Sequence, residues 1–173
     1  MNIRNLFTKY LINKNVLIVS SKYQTKQWRK NQVWYISGKK NECEKYQIKQ
    51  IEQIIDNKLN RTDDRINIEL LEIIQKRTPL KDIRGFEWTE NFDGKIIKNN
   101  NIVYFNLKFI CDFGGVQTRA LRETYYFIKY QLEYNNKYKD NNIYFINILD
   151  GDGCYKYNEH FKYLINKFDN KKI

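Results

Sequence analysis

The stretch that decides the fold is ENFDGKIIKNNNIVYFNLKFICDFGGVQTRALR, residues 90–122. Within it, residues 103–112 are rich in β-branched and aromatic side chains and contain no glycine or proline, which predicts a strand. Because side chains alternate between the two faces of a strand, Asn106 and Lys108 share one face of it. The other face is wholly apolar and carries Val103, Phe105, Leu107, Phe109 and Cys111.

A carboxylate lies upstream of this strand. Asp93 is separated from it by three consecutive asparagines at 99–101, which predict a turn between two adjacent strands. That turn would bring Asp93 towards Asn106 and Lys108. A carboxylate, a second oxygen donor and a lysine that converge from neighbouring strands suit a hard divalent cation and an attacking water.

The composition predicts a folded, basic chain. Its 173 residues are enough for a substantial core, and 16% of them are aromatic, which is typical of folded rather than disordered proteins. A net charge of +11 favours a polyanionic partner such as nucleic acid. The alternative is an AT-rich coding bias, which would raise the lysine content without any function.

Cysteine and histidine are too sparse for several kinds of site. The three cysteines form no CxxC pair, so the sequence indicates neither a disulfide framework nor a zinc site, and a reducing cytoplasm fits best. His160 is the only histidine, and we expect it at the surface or the edge of the core. No apolar run is long enough to predict a membrane span or a signal peptide.

The N-terminal part predicts mixed structure. An amphipathic turn or helix with Leu6, Phe7, Tyr10 and Leu11 is expected first, followed by a strand at 16–19. Residues 20–40 interleave tryptophan with basic side chains, among them Lys26, Arg29 and Lys30. This segment either grips a nucleic-acid backbone or is a surface segment followed by a strand at 33–36.

The remaining pattern predicts an α/β fold. Apolar periodicity predicts helices at 44–59, 66–76, 117–134 and 157–168, with strands at 85–97, 103–112 and 143–149. A helix between two strands indicates a crossover in a mixed central β-sheet flanked by helices on both faces. The chain is expected to form one domain, with a helical and basic part at 1–60, a core at 66–153 and a C-terminal helix at 157–173.

The order of these elements resembles the PD-(D/E)XK nuclease superfamily with its αβββαβ core, and in particular its type II restriction endonuclease branch. The resemblance covers residues 66–153. Its motifs are Asn106-Leu107-Lys108, the glycine pair 114–115, the run QTRALRE at 117–123 and the strand ending in LDG at 149–151. The family usually has glutamate or aspartate where this chain has Asn106.

The resemblance implies roles for individual residues. Asp93 and Asn106 would be ligands of Mg²⁺, with Mn²⁺ as a substitute, and Glu90 or Asp112 would supply the carboxylate that Asn106 lacks. Lys108 would orient or deprotonate the attacking water. The alternative for Asn106 and Lys108 is a solvated face of the sheet.

The helix that follows the glycine pair supplies further candidates. Gln117, Arg119 and Arg122 would hold the phosphodiester group or fix the active-site strand. The alternative for the two arginines is pairing with Glu123 or with other acids.

From this resemblance we expect a Mg²⁺-dependent endonuclease that cuts a short palindrome in double-stranded DNA. It would act as a cytoplasmic homodimer, with a cognate DNA methyltransferase as a separate protein. Two alternatives stay open. One is a nucleic-acid-binding domain on the same fold that has lost catalysis, and the other is a basic structural or interaction protein.

Overall fold

The computed structural model describes residues 9–13, 15–39, 41–75, 88–139 and 142–169. The strands of these residues are β1 (Lys9–Asn13), β2 (Val16–Ser20), β3 (Arg65–Asn67), β4 (Glu72–Ile74), β5 (Thr89–Asn91), β6 (Gly94–Lys98), β7 (Asn101–Phe109) and β8 (Ile143–Asp150). The helices are α1 (Lys26–Lys30), α2 (Glu42–Ile55), α3 (Gly115–Lys137), α4 (Asp152–Lys156) and α5 (Asn158–Asp169). None of the described helices is long and apolar enough to cross a membrane.

The main sheet of the described residues has the order β1-β2-β8-β7-β6. Strands β2, β8 and β7 are parallel, while β1 and β6 run antiparallel at the two edges. The predicted α/β class with a mixed sheet is therefore confirmed. The apolar run at 143–149 is β8, and its place between β2 and β7 explains why it is almost continuously hydrophobic.

Helices cover both faces of this sheet. The larger core packs α3 and α5 on one face and includes Ile128, Phe145 and Phe161. The smaller core packs α2 on the other face and includes Ile51 and Phe105. The alternation predicted for β7 is confirmed, since Tyr104 belongs to the first core and Phe105 and Leu107 belong to the second.

The β6–β7 hairpin and the crossover that follows it position the candidate site. Asn99 and Asn100 take left-handed conformations with φ of 51° and 63°, which a tight hairpin turn requires and asparagine tolerates. After β7, α3 begins at Gly115 and returns the chain to β8, which is parallel to β7. The predicted turn, the long strand and the crossover helix are thus present, with β7 ending at Phe109.

The helix predicted at 66–76 is wrong. In the described residues of this range the chain forms β3, a tight turn and β4, which belong to a small sheet of order β4-β3-β5. The Asn67 side-chain oxygen accepts hydrogen bonds from the N–H groups of Glu69 and Leu70, and Leu71 has φ of 53°. This local asparagine turn stops the helix that the apolar spacing predicts.

Two N-terminal predictions are also wrong. Tyr10 and Leu11 lie in β1, where backbone pairing with β2 replaces the expected helical turn, while Leu6 and Phe7 lie outside the described residues. Residues 33–36 form turns instead of a strand. Val33 is fully exposed there, and Trp34 stacks on Tyr46 of α2 with ring centroids 4.5 Å apart.

Candidate active site at the β6–β7 hairpin

Asp93 lies immediately before β6 and is fixed by two hydrogen bonds to β7. Its backbone N–H donates to the Phe105 carbonyl at 2.9 Å, and its Oδ2 accepts from the Leu107 N–H at 2.7 Å. Pairing of β6 with β7 ends at Gly94 opposite Phe105, so Leu107 is beyond the last strand pair. The carboxylate therefore takes the place of the missing strand partner.

Opposing charges surround the Asp93 carboxylate. Burial raises the pKa of Asp93, and the Glu44 carboxylate on α2 raises it further. The Leu107 N–H and the Lys108 ammonium lower this pKa. Asp93 thus lies in a partly desolvated position between a lysine and a second acid, where its charge interacts more strongly than at an open surface.

Glu90 approaches the same lysine from β5. The residue as a whole is exposed, but its carboxyl group is partly shielded from water, and this burial raises its pKa. The Lys108 ammonium lowers the pKa of Glu90, and the Glu123 carboxylate on α3 raises it. Glu90 of β5, Asp93 just before β6 and Lys108 of β7 are here called the acid–lysine cluster, because the Lys108 ammonium lowers the pKa of both acids. Lys108 forms no ion pair with either of these described acids.

The position of Glu90 depends on the small sheet. Glu90 pairs with Ile66 of β3, which is fully buried. Just before β3, Asp64 accepts hydrogen bonds from Lys95 and Tyr104 of the main sheet, both at 2.8 Å. The two sheets are joined by this buried carboxylate, and that junction holds β5 beside β6.

Asn106 has a different environment from its neighbour Lys108. It is 2% exposed, and its Nδ2 donates to Asn147 Oδ1 of β8 at 2.9 Å. Asn147 also exchanges hydrogen bonds of 2.8 and 3.1 Å with Gln131 of α3. These three side chains, the amide network, lie beneath α3 and join β7, β8 and the helix. The structure thus places the Asn106 amide group in this network, while the Lys108 ammonium lies near enough to Asp93 to lower the pKa of that acid.

The donor groups of the cluster suit a cation that takes few ligands from the protein. Within the described parts of the chain, no three His, Cys, Asp or Glu side chains are grouped so that they could hold a metal ion. Mg²⁺ commonly takes only one or two carboxylates and completes its shell with water and phosphate oxygens. Asp93 can supply one such carboxylate oxygen, because it engages only its Oδ2 with a described residue.

A polar cavity of about 330 Å³ opens next to Asp93. Glu44, Asp63 and Arg61 are among its lining residues. This space admits water and small ions up to the Asp93 carboxylate from the side of α2. Glu44 was not a sequence candidate, and an acid in the first turn of an ordinary helix gives no signal that would single it out.

The predicted phosphate-binding residues lie at the start of α3. Gln117 is half-buried, and Arg119 and Arg122 are exposed. Neither arginine forms an ion pair with any residue that the structure describes, so the predicted alternative of pairing with Glu123 is not observed there. Both guanidinium groups are available to a ligand.

The basic N-terminal segment is partly used within the protein. Lys26 forms an ion pair of 3.2 Å with Asp112, and the Phe113 N–H together with Lys26 lowers the pKa of Asp112. Arg29 lies over the Tyr35 ring at 5.3 Å, while Lys30 is exposed. The tryptophans of this segment pack inward in an aromatic cluster of Trp28, Trp34, Tyr46 and Phe109.

No family model matches this chain, and no curated protein or solved structure matches it significantly.

Proposed function

We propose that the protein is a divalent-metal-dependent DNA endonuclease of the type II restriction class. The observation that carries the proposal is the acid–lysine cluster. Lys108 lowers the pKa of both Glu90 and Asp93, so one ammonium group interacts with two carboxylates from separate strands. Two acids and a lysine are the groups that metal-assisted hydrolysis of a phosphodiester needs, and one of these acids, Asp93, lines the open polar cavity.

The proposal includes a restriction-endonuclease-like core. The helix predicted at 66–76 is absent from the described residues of that range, so α2 takes the place of the first helix of the core in this proposal. It is followed by five described strands, of which β6 and β7 lie in the main sheet, and then by α3 and β8. An antiparallel β6–β7 hairpin, a crossover helix and a parallel β8 support the αβββαβ assignment. Asp93 and Lys108 lie on the β6–β7 hairpin, which carries the first motif that resembles the family, and Glu90 lies on β5 just before it.

The chemistry divides among the residues of the cluster. Glu90 and Asp93 would hold Mg²⁺, which supplies an activated water and neutralises phosphate oxygens when it is bound. The Lys108 ammonium orients the water by a hydrogen bond and stabilises the charge that develops on the phosphate. Asn106 fixes the position of β7 through the amide network and does not contact the metal. Glu90 therefore takes the ligand role that the sequence assigned to Asn106.

Double-stranded DNA is the proposed substrate. The net charge of +11 attracts a polyanion, and the exposed Arg119 and Arg122 contact backbone phosphates in this proposal. A palindromic target requires two-fold symmetry, so the active form is proposed to be a homodimer. A restriction enzyme also implies a separate cognate DNA methyltransferase.

One observation favours a second function, nucleic-acid binding without cleavage. The Asn106 nitrogen is committed to Asn147, and the position contributes no charge to a metal site. If Glu90 does not act as a ligand, Asp93 is the sole carboxylate of the cluster on the hairpin, and binding through the basic surface would remain without hydrolysis.

A cleavage assay with carboxylate variants separates these functions. Unmethylated phage or plasmid DNA is incubated with Mg²⁺ or Mn²⁺ and with the wild-type protein, Asp93→Asn or Glu90→Gln. Asp93→Asn keeps an oxygen for the Leu107 N–H while it removes the charge. Glu72→Gln is the matched control, because Glu72 is exposed on β4.

The proposal predicts discrete fragments from the wild type and the control, and a rate lower by roughly 100-fold or more for the two cluster variants. Intact DNA with each metal, accompanied by binding that weakens with salt, would overturn cleavage and support the binding function. A protein that neither binds nor cleaves DNA would exclude both of these functions and leave a structural or interaction role.

A further inference from the structure

Helices α3 and α5 enclose an aromatic pocket on the face of the sheet opposite α2. Its volume is about 260 Å³. The walls are apolar and largely aromatic. They are formed by Leu121, Tyr125, Tyr126, Tyr157 and Phe161.

The rim of the aromatic pocket is cationic or polar. Arg122, His160 and Thr118 complete its lining, and all three are exposed. No acid is among the lining residues, and Arg122 forms no ion pair with a described residue. The Lys129 ammonium lies 6.0 Å from the Tyr126 ring centroid, but it is paired with Glu133 at 3.4 Å, so Arg122 is the cation available at the rim.

Size and charge together restrict the occupant. A volume of about 260 Å³ admits one planar ring system and is too small for a peptide helix, whose diameter is about 10 Å. Aromatic walls favour a ligand with a π-face, and an unpaired arginine at the rim favours an attached anion. We propose that the aromatic pocket binds a nucleobase, with the phosphate attached to it held by Arg122.

This inference goes beyond the proposed cleavage and does not require it. The ligand chemistry, a nucleobase with a phosphate, has two sources, which are a free nucleotide and an unpaired base of a nucleic-acid strand. Base stacking on aromatic side chains accepts every base, so the pocket is expected to distinguish paired from unpaired bases more than one sequence from another.

The test is a binding measurement in EDTA, where no metal-dependent cleavage takes place. A single strand that contains 2-aminopurine, and the same strand in a duplex, are titrated with wild-type protein, Tyr126→Ala, Tyr126→Phe and Arg122→Ala. The fluorescence of 2-aminopurine reports stacking, and thermal melting verifies that each variant is folded. Tyr144→Ala is the control, since Tyr144 is also partly exposed but lies at the start of β8 and does not line the pocket.

We expect binding of the wild type to change the 2-aminopurine fluorescence of the single strand and to leave that of the duplex nearly unchanged, because only an unpaired base can enter the pocket. Tyr126→Ala and Arg122→Ala should each weaken binding by about fivefold or more, while Tyr126→Phe and Tyr144→Ala stay within about twofold. Competition by a deoxynucleoside monophosphate would assign the pocket to free nucleotides, and its absence would assign it to strands. Equal binding by a folded Tyr126→Ala, or no fluorescence change, would overturn the proposal, whether or not the protein cleaves DNA.

Discussion

Asn106 is a buried residue of β7 that lies in the amide network with Asn147 of β8 and Gln131 of α3. The resemblance predicts a metal ligand at this position instead. The three amides are far apart along the chain and could not be grouped from sequence, although an amide inside an apolar run is itself a signal. A carboxylate at 106 would face the acceptor oxygen of Asn147 and would be buried without a cation.

Replacement of Asn106 by aspartate tests this environment. Asn106→Asp removes the donor to Asn147 and buries a charge, so we expect a loss of about 1–3 kcal/mol in unfolding free energy at neutral pH. Urea denaturation measures it. Asn99→Asp, in the exposed hairpin turn, is the control and should change stability little. An Asn106→Asp protein as stable as wild type would contradict the network.

Asp150 is a buried acid without a cationic partner among the groups that affect its pKa. It is 5% exposed and accepts hydrogen bonds from Ser21 at 2.7 Å and Gln47 at 2.9 Å. Burial raises its pKa above the ordinary value, although the Ser21 and Gln47 bonds lower it. The same Gln47 nitrogen donates to the Lys108 carbonyl, which ties this acid to the strand of the cluster.

The raised pKa predicts a pH-dependent stability. The folded chain holds the Asp150 proton more tightly than the unfolded chain, so this contribution is complete below about pH 3.9 and declines as the pH rises through the folded pKa. Asp150→Asn cannot ionise. Its amide oxygen can still accept from Gln47, and its amide nitrogen can donate to the Ser21 hydroxyl, which reverses that hydrogen bond. Its stability relative to wild type should therefore increase between pH 4 and pH 8, as measured by urea denaturation. A difference in stability that stays constant between pH 4 and pH 8 would refute this.

At the scale of elements, long periodic patterns were predictable and short ones were not. Strands β7 and β8 and helix α3 follow from their residue pattern, because each has many residues that agree with one period. The range 66–76 also has helical spacing, but the Asn67 side chain forms a turn there. Two hydrogen bonds from backbone N–H groups to one side-chain oxygen are local interactions that the spacing of apolar residues does not reveal.

The junction between β8 and α4 depends on a glycine. Gly151 has φ of 93°, and a Cβ there would collide with the Ile110 carbonyl at the end of β7. Gly38 has a similar φ of 82°, but a Cβ there meets nothing within 4 Å. Substitution at Gly38 therefore measures the cost of backbone strain alone, and substitution at Gly151 measures that cost together with a steric collision.

We predict that Gly151→Ala lowers the unfolding free energy by about 3 kcal/mol or more, or prevents folding. The new Cβ collides with the Ile110 carbonyl, so the segment that joins β8 to α4 must move away from the end of β7. Gly38→Ala should lower the unfolding free energy by about 1 kcal/mol, the cost of the left-handed conformation alone. Thermal or urea unfolding of both variants measures the difference. Equal effects of the two substitutions would show that the β8–α4 junction accommodates a side chain.

At the scale of the whole molecule, the sequence predicted where the candidate site forms but not its full composition. The hairpin turn and the alternation of β7 were enough to bring Asp93 towards Lys108. Glu44 and Glu123 were not predictable as neighbours of the cluster, because each comes from a helix whose packing side depends on the whole sheet. The excess of positive charge is a further property of the whole chain.

That charge predicts DNA binding that falls steeply with salt. Each phosphate contact adds about one to the slope of log affinity against log salt concentration, so Arg119→Ala should reduce the slope by about one. Lys167→Ala, an exposed charge near the end of α5, should leave it unchanged. Fluorescence anisotropy over a salt series measures the slope. An affinity independent of salt would contradict an electrostatic DNA interface.

The most direct test of the central claim is the single-turnover cleavage of plasmid DNA with Mg²⁺ by the wild type, Lys108→Ala and Lys98→Ala. Lys98 is an exposed lysine at the far end of the same hairpin, so both variants lose one charge from the same unit. We predict that Lys98→Ala cleaves close to the wild-type rate and that Lys108→Ala is slower by roughly 100-fold or more while still binding DNA. Equal rates for the two variants would contradict a catalytic role for Lys108 and the acid–lysine cluster as the active site.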